Sequence, residues 1–227
     1  MKYKEIVEGK FIKRRNRFIA EVDVSDEVVL CHVKNTGRLK ELFVTGVCVY
    51  LERNENPKRK TAYSLIGVEK DGITVNVDSQ APNKMVKEWL EETQPEGKIT
   101  VLKPECVFDN SRFDFYMETE QKAFWIEVKG VTLVEGKTAL FPDAPTERGI
   151  KHIAELCEAA RQGYQAMLIF VIQRKGVEEF RPNERTQPAF AKALREAEQA
   201  GVKILTYDSI ITEDSAVIDK AIEVKLV

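Results

Sequence analysis

The sequence predicts a mixed α/β protein in two parts: a small OB-like β-barrel over residues 1–80 and an α/β domain over residues 81–227. Three observations support this. Five short β-patterned segments crowd into the first eighty residues, helical periodicity begins only after the Ala81-Pro82-Asn83 turn, and a continuous apolar run at 166–172 reads as a strand buried on both faces. Of the 227 residues, 43% are hydrophobic and 32% charged, which is the composition of a globular chain with enough apolar side chains to bury a core.

In the first part, Phe18, Ala20, Val22 and Val24 alternate with Arg17, Glu21 and Asp23, the period of a half-buried strand. Segments 28–33, 47–51, 62–68 and 73–77 follow the same logic, the last entered through the Lys70-Asp71-Gly72 turn. Five strands in so short a stretch predict a closed or nearly closed barrel, and the OB type offers a nucleic-acid platform. In the second part, Met85, Val86, Trp89 and Leu90 form the apolar stripe of a helix with Asn83 as its expected N-cap. Strands are expected at 99–102, 112–117 and 123–129, with a further one at 131–134. A helix from Thr146 to Gln162 is stopped by Gly163, strand 166–172 follows, then helix 188–200 and strand 202–207.

No apolar run reaches the ~18–20 residues of a membrane span, and Met1-Lys2-Tyr3-Lys4-Glu5 lacks the apolar core of a secretory signal. A soluble, cytoplasmic chain without a membrane partner is expected. Cys31, Cys48, Cys106 and Cys157 stand far apart with no C-x-x-C pair, which argues against zinc and against a disulfide framework. The net charge of −2 hides an asymmetry. Residues 1–80 carry a balance of +3 and the remainder −5. Lys10, Lys13, Arg14, Arg15 and Arg17 cluster, and Lys58-Arg59-Lys60 form a second knot, the footprint expected of phosphate contacts. A solvated strand face would account for the same charges.

The chemistry-bearing segment is the pair 112–117 and 123–129, read as a hairpin whose loop centres near residue 120. That register sets Asp114 opposite Glu127, Arg112 opposite Lys129 and Tyr116 opposite Trp125. Asp114, Glu127 and Lys129 would then converge on one face, with Phe113, Phe115, Ile126 and Val128 filling the other. Two carboxylates suit Mg²⁺ or Mn²⁺, and a neighbouring lysine can orient a water or neutralise a phosphoryl oxygen. An exposed cross-strand charge set would show the same residues. The Asn35-Thr36-Gly37-Arg38 loop could bring backbone N–H groups and Arg38 to a phosphate, or be an ordinary turn. Thr146, Arg148, Lys151 and His152 occupy the first turns of a helix whose positive end favours anions.

The D…E-V-K hairpin, with a helix before it and helix then strand after, resembles the PD-(D/E)xK nuclease fold. Across its full length the chain is similar to the sugar fermentation stimulation protein A family. The matching stretches are Arg17-Phe18, 31–38 (CHVKNTGR), 111–115 (SRFDF), 127–133 (EVKGVTL) and, most distinctive, 141–152 (FPDAPTERGIKH). The resemblance implies an OB-like domain followed by a nuclease-like α/β domain, DNA binding, and regulation of sugar utilisation genes, chiefly those of maltose metabolism. It places metal-ligand roles on Asp114 and Glu127 and the catalytic lysine role on Lys129. The upstream acid of the nuclease fold falls on Glu88, Glu92 or Glu105, with Glu105 preferred. No proline precedes Asp114. The resemblance also favours DNA contact at Lys13, Arg14, Arg15, Arg17, Asn35, Thr36, Arg38, Arg112, Arg148, Lys151 and His152.

The expectation is therefore a DNA-binding protein, duplex preferred over single strand, whose second domain is a Mg²⁺- or Mn²⁺-dependent nuclease. The alternative is a non-catalytic transcriptional regulator that keeps the nuclease scaffold as a DNA grip. A third reading, a phosphohydrolase for a small substrate, would be indifferent to loss of Arg14 and Arg15. The oligomeric state is open.

Overall fold

The computed structural model describes residues 1–35, 37–54, 56 and 59–226. Thr36 and Lys58, both singled out above, lie outside the described residues. The barrel is built from β1 (Ile6–Arg14), β2 (Ile19–Val24), β3 (Glu27–Val33), β4 (Cys48–Arg53), β5 (Tyr63–Lys70) and β6 (Ile73–Asn76). They run in the order β3-β2-β1-β4-β5-β6, and a parallel pairing of β3 with β5 closes the first five strands into the expected OB-like barrel. Phe11, Val22, Cys31, Val49, Leu51 and Leu65 fill its interior, and Leu39 and Leu42 plug it from the loop after β3. β1 escapes the sequence pattern because Lys10 and Lys13 interrupt it. Its inward positions are Gly9 and Phe11, and a Cβ on Gly9 would stand 2.5 Å from Val22 Cγ1.

The second part begins with α1 (Ala81–Thr93). Next come β7 (Ile99–Phe108), β8 (Ser111–Thr119), β9 (Ala123–Val131), β10 (Val134–Glu135), β11 (Thr138–Phe141) and α2 (Glu147–Arg161). The chain continues through β12 (Gln165–Ile172), β13 (Glu179–Pro182), α3 (Pro188–Gln199), β14 (Lys203–Ile211), β15 (Ala216–Ala221) and β16 (Glu223–Val224). The main sheet has the order β15-β14-β12-β9-β8-β7, with β9, β12 and β14 parallel. The apolar run 166–172 lies at its centre, buried on both faces as the sequence indicates. α1 and the barrel cover one face, while α2 and α3 cover the other. β10, β11, β13 and β16 form a small second sheet that the sequence does not announce, because two to four residues show no period. β15 was likewise missed; its A-V-I-D-K-A alternates on a polar edge. α1 begins at Ala81 with Gln80 as N-cap, so Asn83 is not the cap expected of it.

Barrel and sheet are joined by a polar clasp. Gln173 Nε2 donates to Asn76 Oδ1 (2.8 Å) and to the Asp78 carbonyl (3.1 Å), and Asn76 N–H donates back to the Gln173 carbonyl (2.9 Å). Asn76 Nδ2 donates to Tyr3 Oη (2.8 Å), and Lys34 pairs with buried Asp78 at 3.1 Å. Buried polar groups with all partners present fix a single arrangement, since any shift strands several of them at once. The first residues also join the second part, with Tyr3 N–H donating to the Asp214 carbonyl and Ala216 N–H to the Met1 carbonyl.

The small sheet is held by Glu179. Its carboxylate accepts from Arg181 Nε (2.8 Å) and Thr138 Oγ1 (3.0 Å) and pairs with Lys225 (2.7 Å). Arg181, Lys225 and Thr138 together pull its pKa down to about 2. A depressed carboxylate pKa contributes stability above the ordinary value of about 4.3, and that stability is lost as pH falls through the folded value. Glu179→Gln should therefore lower the thermal midpoint above about pH 5, with the gap to wild type closing toward pH 2. Melts followed by circular dichroism across that range check this, and a gap independent of pH would refute it.

Candidate metal and nucleic-acid site

The β8–β9 ladder pairs Phe115 with Ile126 and Tyr116 with Trp125, the register expected from the hairpin. Past Phe115 the ladder ends. Phe113 packs in the core under α2 while Phe115 packs in the core under α1, so the strand turns over at Asp114. This corrects the expectation that Phe113 and Phe115 share a face; the alternation rule fails where the ladder stops. There Asp114 takes over the pairing with its side chain, Oδ2 accepting from Val128 N–H (2.8 Å). Oδ1 accepts from Asn83 Nδ2 on α1 (2.6 Å). Asn83, misplaced as a cap by its position after a proline, is thus a site residue.

Glu127 lies in the centre of β9, 3% exposed. Its Oε1 is engaged by both His152 Nδ1 and Lys129 Nζ. Arg148 Nε donates to His152 Nε2 (3.3 Å), so the imidazole proton sits on Nδ1, facing the carboxylate. Thr146 caps α2 as expected, its hydroxyl accepting from Gly149 N–H (3.0 Å), and this sets the rotation that brings His152 inward. Glu127 Oε2 is buried with no hydrogen-bond partner. An unsatisfied lone pair on a buried carboxylate costs on the order of 1–3 kcal/mol or more.

The two carboxyls differ in setting. Burial and the Glu127 charge raise the Asp114 carboxyl against the pull of Val128 N–H, Asn83 and Lys129. Burial also works against ionised Glu127, but His152 and Lys129 outweigh it and hold its pKa below the ordinary range. The pair is a concentration of buried negative charge that a cation would neutralise. The residues fit an oxygen-preferring divalent ion, which Asp114 and Glu127 would hold. Among the described residues no group of three His, Cys, Asp or Glu is arranged to hold a metal. Glu105, the expected third ligand, stays outside the buried cluster: at φ +53° its side chain turns to solvent, 3.5 Å from Arg112.

Beside this cluster the barrel and the sheet enclose a cleft of about 890 Å³. Its floor includes Gly130, the residue after Lys129, where a Cβ would strike Gln173 Oε1 at 2.5 Å and Pro82 Cγ at 2.8 Å. Lys13, Arg14, Arg17, Arg38 and Lys40 line the barrel side. Among the described residues no acidic side chain lies within ion-pairing distance of Arg17, Arg38 or Lys40, whereas Lys13 and Arg15 share Glu21. Lys40 had no signal in the sequence, being one cation in a mixed loop.

Several expected DNA contacts have other work. Arg14 donates to the carbonyls of Arg17 (2.5 Å), Asn35 (2.5 Å), Gly37 (2.6 Å) and Arg38 (3.1 Å), and its guanidinium lies over the Phe43 ring. Asn35 accepts from Gly37 N–H and donates to the Val77 carbonyl, so it shapes the loop where it lines the cleft. His152, expected among the DNA contacts, is instead 5% exposed and belongs to the carboxylate cluster. Arg112, Arg148 and Lys151 are exposed, with Lys151 Nζ donating to the Asn110 carbonyl (3.0 Å).

Comparison with known proteins agrees with this architecture. The family profile described as "SfsA N-terminal OB domain" matches residues 12–77, and that described as "Sugar fermentation stimulation protein RE domain" matches residues 80–215. The chain is 52% identical over 226 residues to a sugar fermentation stimulation protein homolog of Ruminiclostridium cellulolyticum, covering 100% of both. It is 50% identical to the homolog of Desulfitobacterium hafniense strain DCB-2, covering 100% of this chain and 99% of that protein. Among solved structures it is similar to Pyrococcus furiosus SfsA in complex with Ca²⁺, with a TM-score of 0.90 and 29% identity over 99% of this chain and 98% of the other. With both profiles in sequence order and relatives matched end to end, the chain belongs to the sugar fermentation stimulation protein family.

Proposed function

We propose that this protein holds DNA along the cationic side of the cleft and hydrolyses phosphodiester bonds with a divalent cation at Asp114 and Glu127. Glu127 Oε2 carries the proposal: it is a buried, ionised, unpartnered oxygen beside a second carboxylate. The second carboxylate beside it is what sets this oxygen apart from the equally unpartnered Glu155 Oε2 of the Lys151–Glu155 pair. The Pyrococcus furiosus relative is a complex with Ca²⁺, an ion of the same oxygen-preferring class as Mg²⁺ and Mn²⁺. When bound, the cation lowers the pKa of a water and offsets charge building on phosphorus.

The chain's own residues prepare that chemistry. Asn83 and Val128 N–H hold both Asp114 oxygens in place. His152, its tautomer set by Arg148, fixes Glu127 by Oε1 and leaves Oε2 presented. Lys129 Nζ, half-buried against Glu127, is placed to orient a water or to donate to a phosphoryl oxygen. Arg17, Arg38 and Lys40 supply the counter-charge for the DNA backbone. A second reading, a DNA-binding regulator of sugar metabolism genes without turnover, draws on one observation. Only two carboxylates meet at the site among the described residues, and no third side chain completes a ligand set.

Two measurements separate these readings. In Mn²⁺, wild type should nick plasmid DNA, while Glu127→Ala and Lys129→Ala should each lose at least about a hundredfold in rate. Unchanged rates in both variants would refute the assignment, and absence of cleavage by wild type would favour the binding-only reading. Independently of activity, Mn²⁺ should raise the thermal midpoint of wild type and leave that of Asp114→Asn unmoved, since a ligand of the folded state stabilises it by mass action. Equal shifts in both would place the cation elsewhere.

A further inference from the structure

We infer that the strand entering the cleft is unpaired, and that Phe18 stacks on a base at its mouth. This rests on the nucleic-acid reading above and names the substrate class for it. The cleft is an open groove of about 890 Å³ with Lys13, Arg14, Arg17, Arg38 and Lys40 along one wall.

Leu133 and the half-buried rings of Phe43 and Phe141 add apolar surface to the walls, although Phe43 already stacks on Phe11 and Arg14, and Phe141 packs on Phe170 and Phe190. A duplex offers a protein its phosphates and sugars and keeps its base faces stacked on each other. An exposed ring beside such a groove gains a partner only when bases are unstacked, and cations with an interleaved aromatic are how unpaired strands are held.

Phe18 stands on the β1–β2 turn with Asn16 and Arg17, both of which line the cleft. It is 52% exposed, and it is the one aromatic among the large hydrophobic side chains exposed in the described residues. Its backbone is fixed. Asn16 Oδ1 accepts from the N–H groups of Phe18 (2.8 Å) and Ile19 (3.1 Å), and the Phe18 carbonyl accepts from Val33 N–H (2.8 Å). An exposed ring on a rigid turn, flanked by Arg15 and Arg17, is a stacking platform already held in position before the strand arrives.

The test is fluorescence anisotropy in a chelator, so that nothing is cut, with labelled oligothymidylate, a blunt duplex and the same duplex carrying a single-stranded tail. Wild type should bind the strand and the tailed duplex at least about tenfold more tightly than the blunt duplex. Phe18→Ala should weaken strand binding by about 5- to 150-fold and leave heparin, a polyanion without bases, unaffected, while Phe18→Tyr should restore it. Blunt duplex bound as well as single strand, or Phe18→Ala without effect on the strand, would overturn this inference while the nucleic-acid reading stands. Loss of heparin binding in Phe18→Ala would overturn it too, by showing a defect not specific to bases. Wild type that binds none of the three DNAs in a salt-dependent way would overturn both.

Discussion

A buried carboxylate in the middle of a sheet is the constraint around which the second domain is arranged. Glu127 stands on a central strand with neighbours on both sides, where a lone negative charge is too costly to persist. It persists because two partners meet at the same oxygen: Lys129, two residues along its own strand, and His152, brought in by α2. The second helix must therefore start at Thr146 and present its second turn inward, and Arg148 must reach back to the imidazole. One oxygen over-supplied and the other empty is an uneven distribution. Beside Asp114, that unevenness leaves one oxygen of Glu127 open to a ligand.

The neighbouring carboxylate is positioned by a defect. Where the β8–β9 ladder ends, Asp114 replaces a backbone bond with a side-chain one, and the strand rotates so that its flanking phenylalanines enter different cores. The irregularity is anchored from α1 by Asn83, which lies a turn from the barrel junction. Gln173 then links that junction to the cleft floor, pressed against Gly130 on one side and hydrogen-bonded to Asn76 on the other. Barrel, cleft and carboxylates are consequently one rigid construction, and a polyanion held by the first is held in fixed relation to the last.

Much of this was legible from local pattern. The barrel strands β2 to β6, the three helices, the buried strand at 166–172 and the hairpin register all follow from periodicity and turn residues, because each depends on neighbours close in the chain. The register brings Asp114 near Glu127 and Lys129, although the ladder stops at Phe115 and a side-chain bond to Val128 N–H holds Asp114 there. What escaped had a non-local cause. Asn83 and His152 have their partners 31 and 25 residues away, respectively, and no spacing rule connects them. Arg14 reads as one more surface cation beside Arg15 and Arg17, yet its guanidinium lies over Phe43 and holds four loop carbonyls as well as lining the cleft. β1 was hidden by its lysines, and the small second sheet by its brevity.

The anchoring of the cleft loops by Arg14 has a consequence for how such a surface can change. The guanidinium grips Arg17, Asn35, Gly37 and Arg38 by their carbonyl oxygens, atoms that every amino acid possesses. The course of these loops is thereby separated from the identity of the side chains at Arg17 and Arg38. Charge, length and hydrogen-bonding character at those two rim positions can be exchanged while the loops stay where they are. A protein built this way can acquire a new preference among polyanions through single substitutions, without refolding the surface that presents them.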